Sequence, residues 1–214
     1  MTGTAPPALD GAHPLNRLAA VLTVLLALAG LASLATAVPL FLRARALDQV
    51  AAETTTLLAV LDADQVVRAA FGINALLTIG TGIVFLTWQY RHAVNAELLR
   101  DGPLSLGPGW AVGGWLIPGA NLVLPFLQLR QAARVCGPVP RVVTAWSVLF
   151  VAGGLLFSGS AAIRRNHREP IVMALPVSNA DWVAGAAMAV YAAAAVLAIL
   201  VVRALTDRQQ RILA

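Results

Sequence analysis

Residues 108–125 read PGWAVGGWLIPGANLVLP, an apolar stretch that carries Pro and Gly where a membrane-spanning helix should run unbroken. Pro118 has no amide proton, and its ring clashes with the carbonyl four residues earlier, so a helix should fail near this residue. Backbone groups freed by the break cannot stay unpaired in lipid, and the side chain of Asn121 can both donate and accept hydrogen bonds. The stretch therefore predicts a broken hairpin embedded in the membrane, with Asn121 bonded to the freed backbone.

The composition of the whole chain is typical of integral membrane proteins. Of its 214 residues, 59% are hydrophobic and 12% are charged, and the mean hydropathy is +0.78, far from the averages of soluble domains. All 15 basic residues are Arg, which together with the Ala-rich runs suggests GC-rich coding and a bacterial origin. The Arg residues stand at the ends of apolar runs, where they anchor helices, and this arrangement argues against nucleic-acid binding.

Four apolar runs are long enough to cross a bilayer and predict an all-α, polytopic membrane helix bundle. They cover residues 15–42, 66–90, 142–163 and 182–202. Between the first two runs, residues 43–65 place apolar side chains on one helical face and predict a separate amphipathic helix. The predicted organisation is a disordered tail over residues 1–14, a single transmembrane helical domain over 15–205 and a short polar tail over 206–214.

The number of spanning segments depends on whether residues 108–125 cross the membrane. If the hairpin is re-entrant, four helices span, both termini lie on one side, and nine Arg residues share that side while six lie opposite. If the hairpin spans, there are five helices and the two counts reverse. Because cytoplasmic loops carry an excess of positive charge, we favour a re-entrant hairpin with both termini in the cytoplasm, and five spanning helices are the alternative.

Few side chains in the sequence are candidates for catalysis, metal binding or redox reactions. The single cysteine, Cys136, excludes an intramolecular disulfide and a multi-cysteine metal site, and the nearby Arg134 should favour its thiolate form. The sequence has no paired histidines, no nucleophile with an adjacent base and no carboxylate pair within reach of the apolar interior. We therefore expect no enzyme activity, no metal and no cofactor. Small residues let helices approach closely, and on the last run they predict a packing face of Gly185, Ala189 and Ala193.

A pattern of aromatic, Arg and Asn residues leads into the hairpin, and Pro, Gly, Trp and Asn continue through it. These residues are Trp88, Tyr90, Arg91, Asn95, Pro108, Gly109, Trp110, Trp115, Pro118, Asn121 and Pro125. The pattern resembles a family of bacterial membrane proteins, domain of unknown function 4328, although family members often have an acidic residue and a Trp where this chain has Gln131 and Ala133. The resemblance implies a multi-pass protein of the plasma membrane with no established activity. Trp88 and Tyr90 also predict an aromatic belt at the end of the second run.

Two functions from different classes are consistent with these patterns. The first is a structural or regulatory protein in the lipid bilayer that packs against another membrane protein or a second copy of itself. The small-residue face and the absence of charge deep in the apolar runs favour this function. The second is a small-solute transporter or channel that uses the broken hairpin at 108–125, because broken helices can expose helix ends to a substrate.

Overall fold

The computed structural model describes residues 11–166 and 174–213, and every regular element within them is helical. Four of the helices, α1, α2, α5 and α6, are long and apolar enough to cross a membrane. This confirms the predicted all-α bundle with four candidate spanning helices. The elements are α1 (Asn16–Ala51), α2 (Leu57–Arg100), α3 (Trp110–Leu116), a 3-10 turn (Ala120–Leu122), α4 (Leu124–Val135), α5 (Arg141–Asn166) and α6 (Ala174–Leu213).

Each long helix contains one stretch without any charged side chain. These stretches are residues 18–42 in α1, 69–90 in α2, 142–163 in α5 and 182–202 in α6. Each meets the roughly 20 residues that a helix needs to cross the hydrocarbon core. The helices themselves are longer, and the 44 residues of α2 correspond to about 66 Å at 1.5 Å per residue. Where the charge-free stretch of a helix crosses a membrane, its charged ends extend beyond the hydrocarbon.

The prediction of a separate amphipathic helix over residues 43–65 is wrong. The chain turns after α1, where Glu53 adopts a left-handed conformation with φ 57°. The amide of Glu53 donates to the carbonyl of Val50 at 3.0 Å, and the amide of Thr54 donates to the carbonyl of Gln49 at 2.9 Å. This pair of bonds is a Schellman motif, which ends a helix by satisfying its last carbonyls. The amphipathic pattern thus belongs to the end of α1 and the beginning of α2.

The predicted chain ends differ from the structure as well. Residues 206–213 continue α6 instead of forming a polar tail, because Thr206 and Gln209 are buried and their polar groups find partners inside the protein. Residues 1–10 of the predicted N-terminal tail lie outside the described residues. Leu15, directly after the tail, is completely buried.

The chain divides into two compact units. The first, here called the hairpin unit, comprises Met1–Thr23, Ile83–Pro140 and Val201–Ala214. The second, here called the four-helix unit, comprises Val24–Gly82 and Arg141–Leu200. Its core is apolar and includes Ala37, Leu40, Val67, Ala184 and Met188, with Phe41, Phe71 and Tyr191 packed against it.

Small residues bring helices of the four-helix unit into close contact. A Cβ added at Gly185 would overlap the ring of Phe41, so a larger residue at this position requires that ring to move. Phe41 in turn packs on Trp182, with ring centroids 5.4 Å apart. Ala189 and Ala193 are exposed. Of the three residues predicted to form a packing face, only Gly185 is therefore at a helix contact within the described part of this chain.

We predict that Gly185→Ala destabilises the protein. Overfilling a packed site costs about 1–3 kcal/mol, which exceeds the roughly 1 kcal/mol that Ala gains over Gly in a helix. The thermal unfolding temperature in detergent should fall. Gly72→Ala is the matched control because an added Cβ there meets nothing within 4 Å, and this variant should be unchanged or more stable. A Gly185→Ala variant as stable as the wild type would contradict the contact with Phe41.

Candidate functional site

The predicted helix break at Pro118 is confirmed. The helix α3 ends at Leu116, and Ile117 is extended with φ −92° and ψ 115°, as expected for a residue that precedes proline. Gly119 then adopts φ 80°, a conformation that glycine reaches without strain. The amide of Asn121 donates to the carbonyl of Ile117 at 3.0 Å and closes the turn. A Pro-Gly pair thus separates the two arms of the hairpin.

The two arms, α3 and α4, pack against each other through a close approach and an aromatic pair. A Cβ added at Gly114 would lie 3.3 Å from Cβ of Leu124 and 3.4 Å from Cδ of Pro125. The rings of Trp115 and Phe126 meet edge to face with centroids 5.5 Å apart. Gly114 therefore lets the start of α4 lie directly on α3.

The side chain of Gln89 from α2 holds both arms of the hairpin. Its Oε1 accepts a hydrogen bond from Nε1 of Trp115 at 3.0 Å. Its Nε2 donates to the carbonyl of Pro125 at 2.9 Å and to Oε1 of Gln128 at 3.0 Å. Gln89 is 1% exposed and Gln128 is 0% exposed, so these bonds are made without competition from solvent. One amide side chain therefore joins α2 to α3 and α4.

Asn121 does not have the predicted role. It is half-buried, and its side chain makes no hydrogen bond among residues 11–166 and 174–213. The carbonyl freed near the break is instead satisfied by the backbone of Asn121 itself, which bonds to Ile117. The polar anchor of the hairpin is Gln89, on a different helix.

A second buried polar network lies one turn further along α2. Nδ1 of His92 is 2.9 Å from Oε1 of Gln209, and Nε2 of Gln209 donates to the carbonyl of His92 at 3.0 Å. Nδ2 of Asn95 donates to the carbonyl of His13 at 2.8 Å, while Oδ1 of Asn95 accepts from the amide of His13 at 2.8 Å. These bonds attach the end of α6 and the segment before α1 to α2.

Trp88 completes this network. Its Nε1 donates to Oγ1 of Thr206 at 3.0 Å, and its ring stacks on the imidazole of His92 with centroids 5.4 Å apart. Trp88 is fully buried, so the prediction that it belongs to an aromatic belt is wrong. Tyr90, two residues later, is exposed.

Four buried polar side-chain atoms of the hairpin unit have no hydrogen-bond partner in the described part of the chain: Nε2 of His92, Nε2 of Gln128, Nε of Arg130 and Nε2 of Gln210. Because Oε1 of Gln209 can only accept, Nδ1 of a neutral His92 ring carries the proton and Nε2 is left as an acceptor. Nε2 of Gln128 is a donor. With a small polar molecule, Nε2 of His92 can therefore accept one further hydrogen bond and Nε2 of Gln128 can donate one.

All motif residues lie in the hairpin unit. Some of these residues are buried in the core of the unit, and the others lie at its surface. Trp88, Asn95 and Pro125 are buried; Arg91, Pro108, Trp115 and Asn121 are half-buried; Tyr90, Gly109, Trp110 and Pro118 are exposed. Gln131, at a position where the family often has an acidic residue, accepts the amide of Leu106 at 2.9 Å, and Ala133 is buried.

Three glutamines of these networks, Gln89, Gln128 and Gln209, are not predicted by the sequence patterns. Gln89 had a readable signal, because it is a strong hydrogen-bonding side chain within the charge-free stretch 69–90, where such a group needs a partner inside the protein. Gln128 and Gln209 lie in polar segments of the sequence, where glutamine is ordinary. Their partners are set by tertiary contacts with α2.

Cys136 follows α4, outside the candidate spanning helices. Burial raises the pKa of its thiol, and the guanidinium of Arg208 lowers this pKa by a smaller amount. Arg208 is held near the turn because its Nη1 donates to the carbonyl of Pro138 at 2.6 Å. The prediction that Arg134 favours the thiolate is therefore wrong, since burial dominates and the nearby cation is Arg208.

We predict that Gln89→Leu strongly lowers stability whereas Asn121→Leu has little effect. The change at Gln89 removes its hydrogen bonds with Nε1 of Trp115 and the carbonyl of Pro125 and leaves the buried Oε1 of Gln128 without a donor, and a buried unsatisfied group costs about 1–3 kcal/mol. The change at Asn121 removes no side-chain hydrogen bond and should stay within about 0.5 kcal/mol. Thermal unfolding of both variants in the same detergent provides the measurement. Equal losses of stability would show that Gln89 is not the anchor of the hairpin.

Comparisons with known proteins agree with the pattern around the hairpin. The family described as Domain of unknown function (DUF4328) matches residues 53–207, a range that contains α2 to α5 and most of α6. The helix α1 precedes the matched range. No curated protein and no solved structure matches the chain. Since the family match covers more than half of the sequence, and includes the whole hairpin with its anchor Gln89, the chain belongs to the DUF4328 family.

Proposed function

We propose that this protein is a non-enzymatic, multi-pass protein of the bacterial plasma membrane that acts as a structural or regulatory partner of other membrane proteins. It packs against a partner helix, or against a second copy of the chain, through the exposed face of α6. The hairpin at 108–125 is re-entrant in this proposal, and both termini lie in the cytoplasm.

The observation that carries the proposal is the size of the side chains on two exposed helix faces. On α1 most exposed apolar positions are large aliphatic residues such as Leu31, Leu34 and Val38, as expected for a surface in contact with lipid, although Ala27 and Ala35 are exposed as well. On α6 the exposed positions include Ala189 and Ala193, four residues apart, followed by Val196. Small residues on a membrane helix permit close approach of another helix, and van der Waals packing then favours association.

The hydrogen bonds of the hairpin also support a structural role. The polar side chains that approach the hairpin from α2 and α4 bond mainly to each other and to hairpin backbone, through Gln89. A polar group that is already paired must break a bond before it can bind a substrate. The arrangement therefore favours a hairpin that stabilises the bundle over one that forms a substrate path.

A small-solute transporter or channel is the second candidate function. It is favoured by two of the unpartnered buried atoms, Nε2 of His92 and Nε2 of Gln128, because one acceptor and one donor can bind a small polar solute. We rank this function second because Gln89, the polar side chain that contacts both arms of the hairpin, already bonds within the protein through its oxygen and its nitrogen.

The partner proposal predicts that Ala189→Leu disrupts an assembly. Overfilling a close helix contact costs about 1–3 kcal/mol, so the dissociation constant should rise roughly 5- to 150-fold. Light scattering of the protein in mild detergent should show a change from an oligomer or complex to a monomer. Ala35→Leu, at an exposed position among the large aliphatic residues of α1, should leave the assembly intact.

Two outcomes of this experiment would contradict the partner proposal. If the wild type is monomeric and without a partner in mild detergent and after crosslinking in membranes, it has no assembly to disrupt. If Ala35→Leu and Ala189→Leu weaken the assembly equally, the face of α6 has no special role. The first outcome would leave the transporter as the better supported function.

The re-entrant hairpin predicts that Cys136 lies in the cytoplasm, because the chain returns to the side that it left. A membrane-impermeant maleimide should leave intact cells unlabelled at Cys136 and should label inside-out vesicles. The thiolate is the reactive form, so the raised pKa of Cys136 predicts slow labelling at neutral pH and about a tenfold gain per pH unit until the pKa is reached.

The labelling experiment has two controls. A permeant maleimide shows that the thiol can react in cells, and Cys136→Ser removes the single cysteine and should abolish all labelling. Labelling of intact cells by the impermeant reagent at the rate seen with inside-out vesicles would refute the re-entrant hairpin and restore five spanning segments.

A further inference from the structure

The four-helix unit contains a pocket of about 430 Å³, within the roughly 300–1,000 Å³ of typical small-molecule sites. Its lining combines cationic side chains with an apolar wall. The cationic residues are Arg43, Arg68 and Arg164, and the other lining residues are Val67, Phe71, Phe157, Ser160, Ala161 and Ala184. Such a lining suits a molecule with an anionic group at one end and hydrocarbon at the other.

The carboxylates of Asp64 and Asp181 form ion pairs with these arginines and link them to one another. Asp181, which is fully buried, accepts from Nε of Arg43 at 2.6 Å and from its Nη2 at 2.9 Å, and it also accepts from Nη2 of Arg164. Asp64 accepts from Arg43 and, at 2.7 Å, from Nε of Arg68. Within this cluster, three guanidinium groups and two carboxylates leave one positive charge without a counter-ion.

The three arginines differ in their capacity for a further hydrogen bond. Arg43 is almost fully buried, and its Nε and both terminal nitrogens already donate to the two carboxylates. Arg164 donates only through Nη2, and Arg68 only through Nε and Nη2, among the residues that the structure describes. Their side chains are 36% and 79% exposed. Arg43 therefore positions the carboxylates, while Arg164 and Arg68 retain donors for a ligand.

The position of the cluster along the helices indicates its level in the membrane. Arg43, Arg68 and Arg164 are each the first charged residue beyond one end of the charge-free stretches 18–42, 69–90 and 142–163. The end of a spanning stretch lies at the boundary between hydrocarbon and headgroups. The free guanidinium donors are therefore at the level of the lipid phosphates, and Phe71 and Phe157, with ring centroids 6.2 Å apart, lie within the charge-free stretches.

We propose that this pocket binds an anionic phospholipid. The phosphate accepts hydrogen bonds from Arg68 and Arg164, since guanidinium groups bind phosphate oxygens in a planar, charge-assisted geometry. An acyl chain lies along Phe71, Phe157 and Ala161. The phosphate supplies the negative charge that the cluster lacks, and the acyl chain covers the apolar wall. A zwitterionic lipid would leave the net charge of the cluster unchanged.

The test is native mass spectrometry of the full chain after incubation with phosphatidylglycerol and phosphatidylcholine of identical acyl chains. The wild type should retain more phosphatidylglycerol. Arg68→Gln should reduce this preference about fivefold, and Ala161→Phe, which fills the apolar part of the pocket without changing a charge, should reduce binding of both lipids. Arg45→Gln is the matched control, because Arg45 is an exposed arginine near the same end of α1 that does not line the pocket.

Three results would overturn the proposal. Equal retention of the two lipids by the wild type would show that charge does not select the ligand. Equal effects of Arg45→Gln and Arg68→Gln would show general surface attraction. Displacement of the lipid by millimolar inorganic phosphate alone would show a site for a free anion. Arg68 is largely exposed, so its variant should fold even if Ala161→Phe does not, and no partner protein is needed for the measurement.

Discussion

The hydrogen bonds of Gln89 are the interaction on which the hairpin unit depends. In a membrane protein a buried polar group cannot exchange a lost partner for water, so each such group must be satisfied inside the protein. Gln89 makes hydrogen bonds with three groups on two different helices. The hairpin is consequently fixed to α2 by its polar groups, while the contact of Gly114 with Leu124 and Pro125 determines how closely its arms pack.

The sequence was informative where a local rule decides the structure. Pro118 followed by Gly119 ends α3, because proline forces Ile117 into an extended conformation and Gly119 can take a positive φ. Proline alone was not sufficient, since Pro39 lies inside α1 without ending it. The family pattern and the four long apolar helices were also predictable, because both depend on residues that are close in sequence.

The sequence was less informative where the local structure depends on contacts between residues that are far apart in the chain. The turn after α1 requires Glu53 in a left-handed conformation, which a helical pattern of apolar residues does not indicate. The end of α6 continues as a helix because Gln209 bonds to His92 on α2, and its polar composition suggested a tail. Asn121 had the chemistry of an anchor, but a partner must also lie within reach, and Gln89 has that geometry.

The two units satisfy their buried polar groups by different means, and this difference has a functional consequence. In the hairpin unit, Gln89, Gln128 and Gln209 form neutral hydrogen bonds that add no net charge. In the four-helix unit, arginines and aspartates form ion pairs whose charges do not cancel. A neutral network attracts no ion from a distance, whereas an uncompensated guanidinium does, so the unequal charges of the ion-pair cluster are the basis of the proposed lipid site at Arg68 and Arg164. The conspicuous sequence motif therefore stabilises the fold, and the ion-pair cluster with its uncompensated positive charge lies outside that motif.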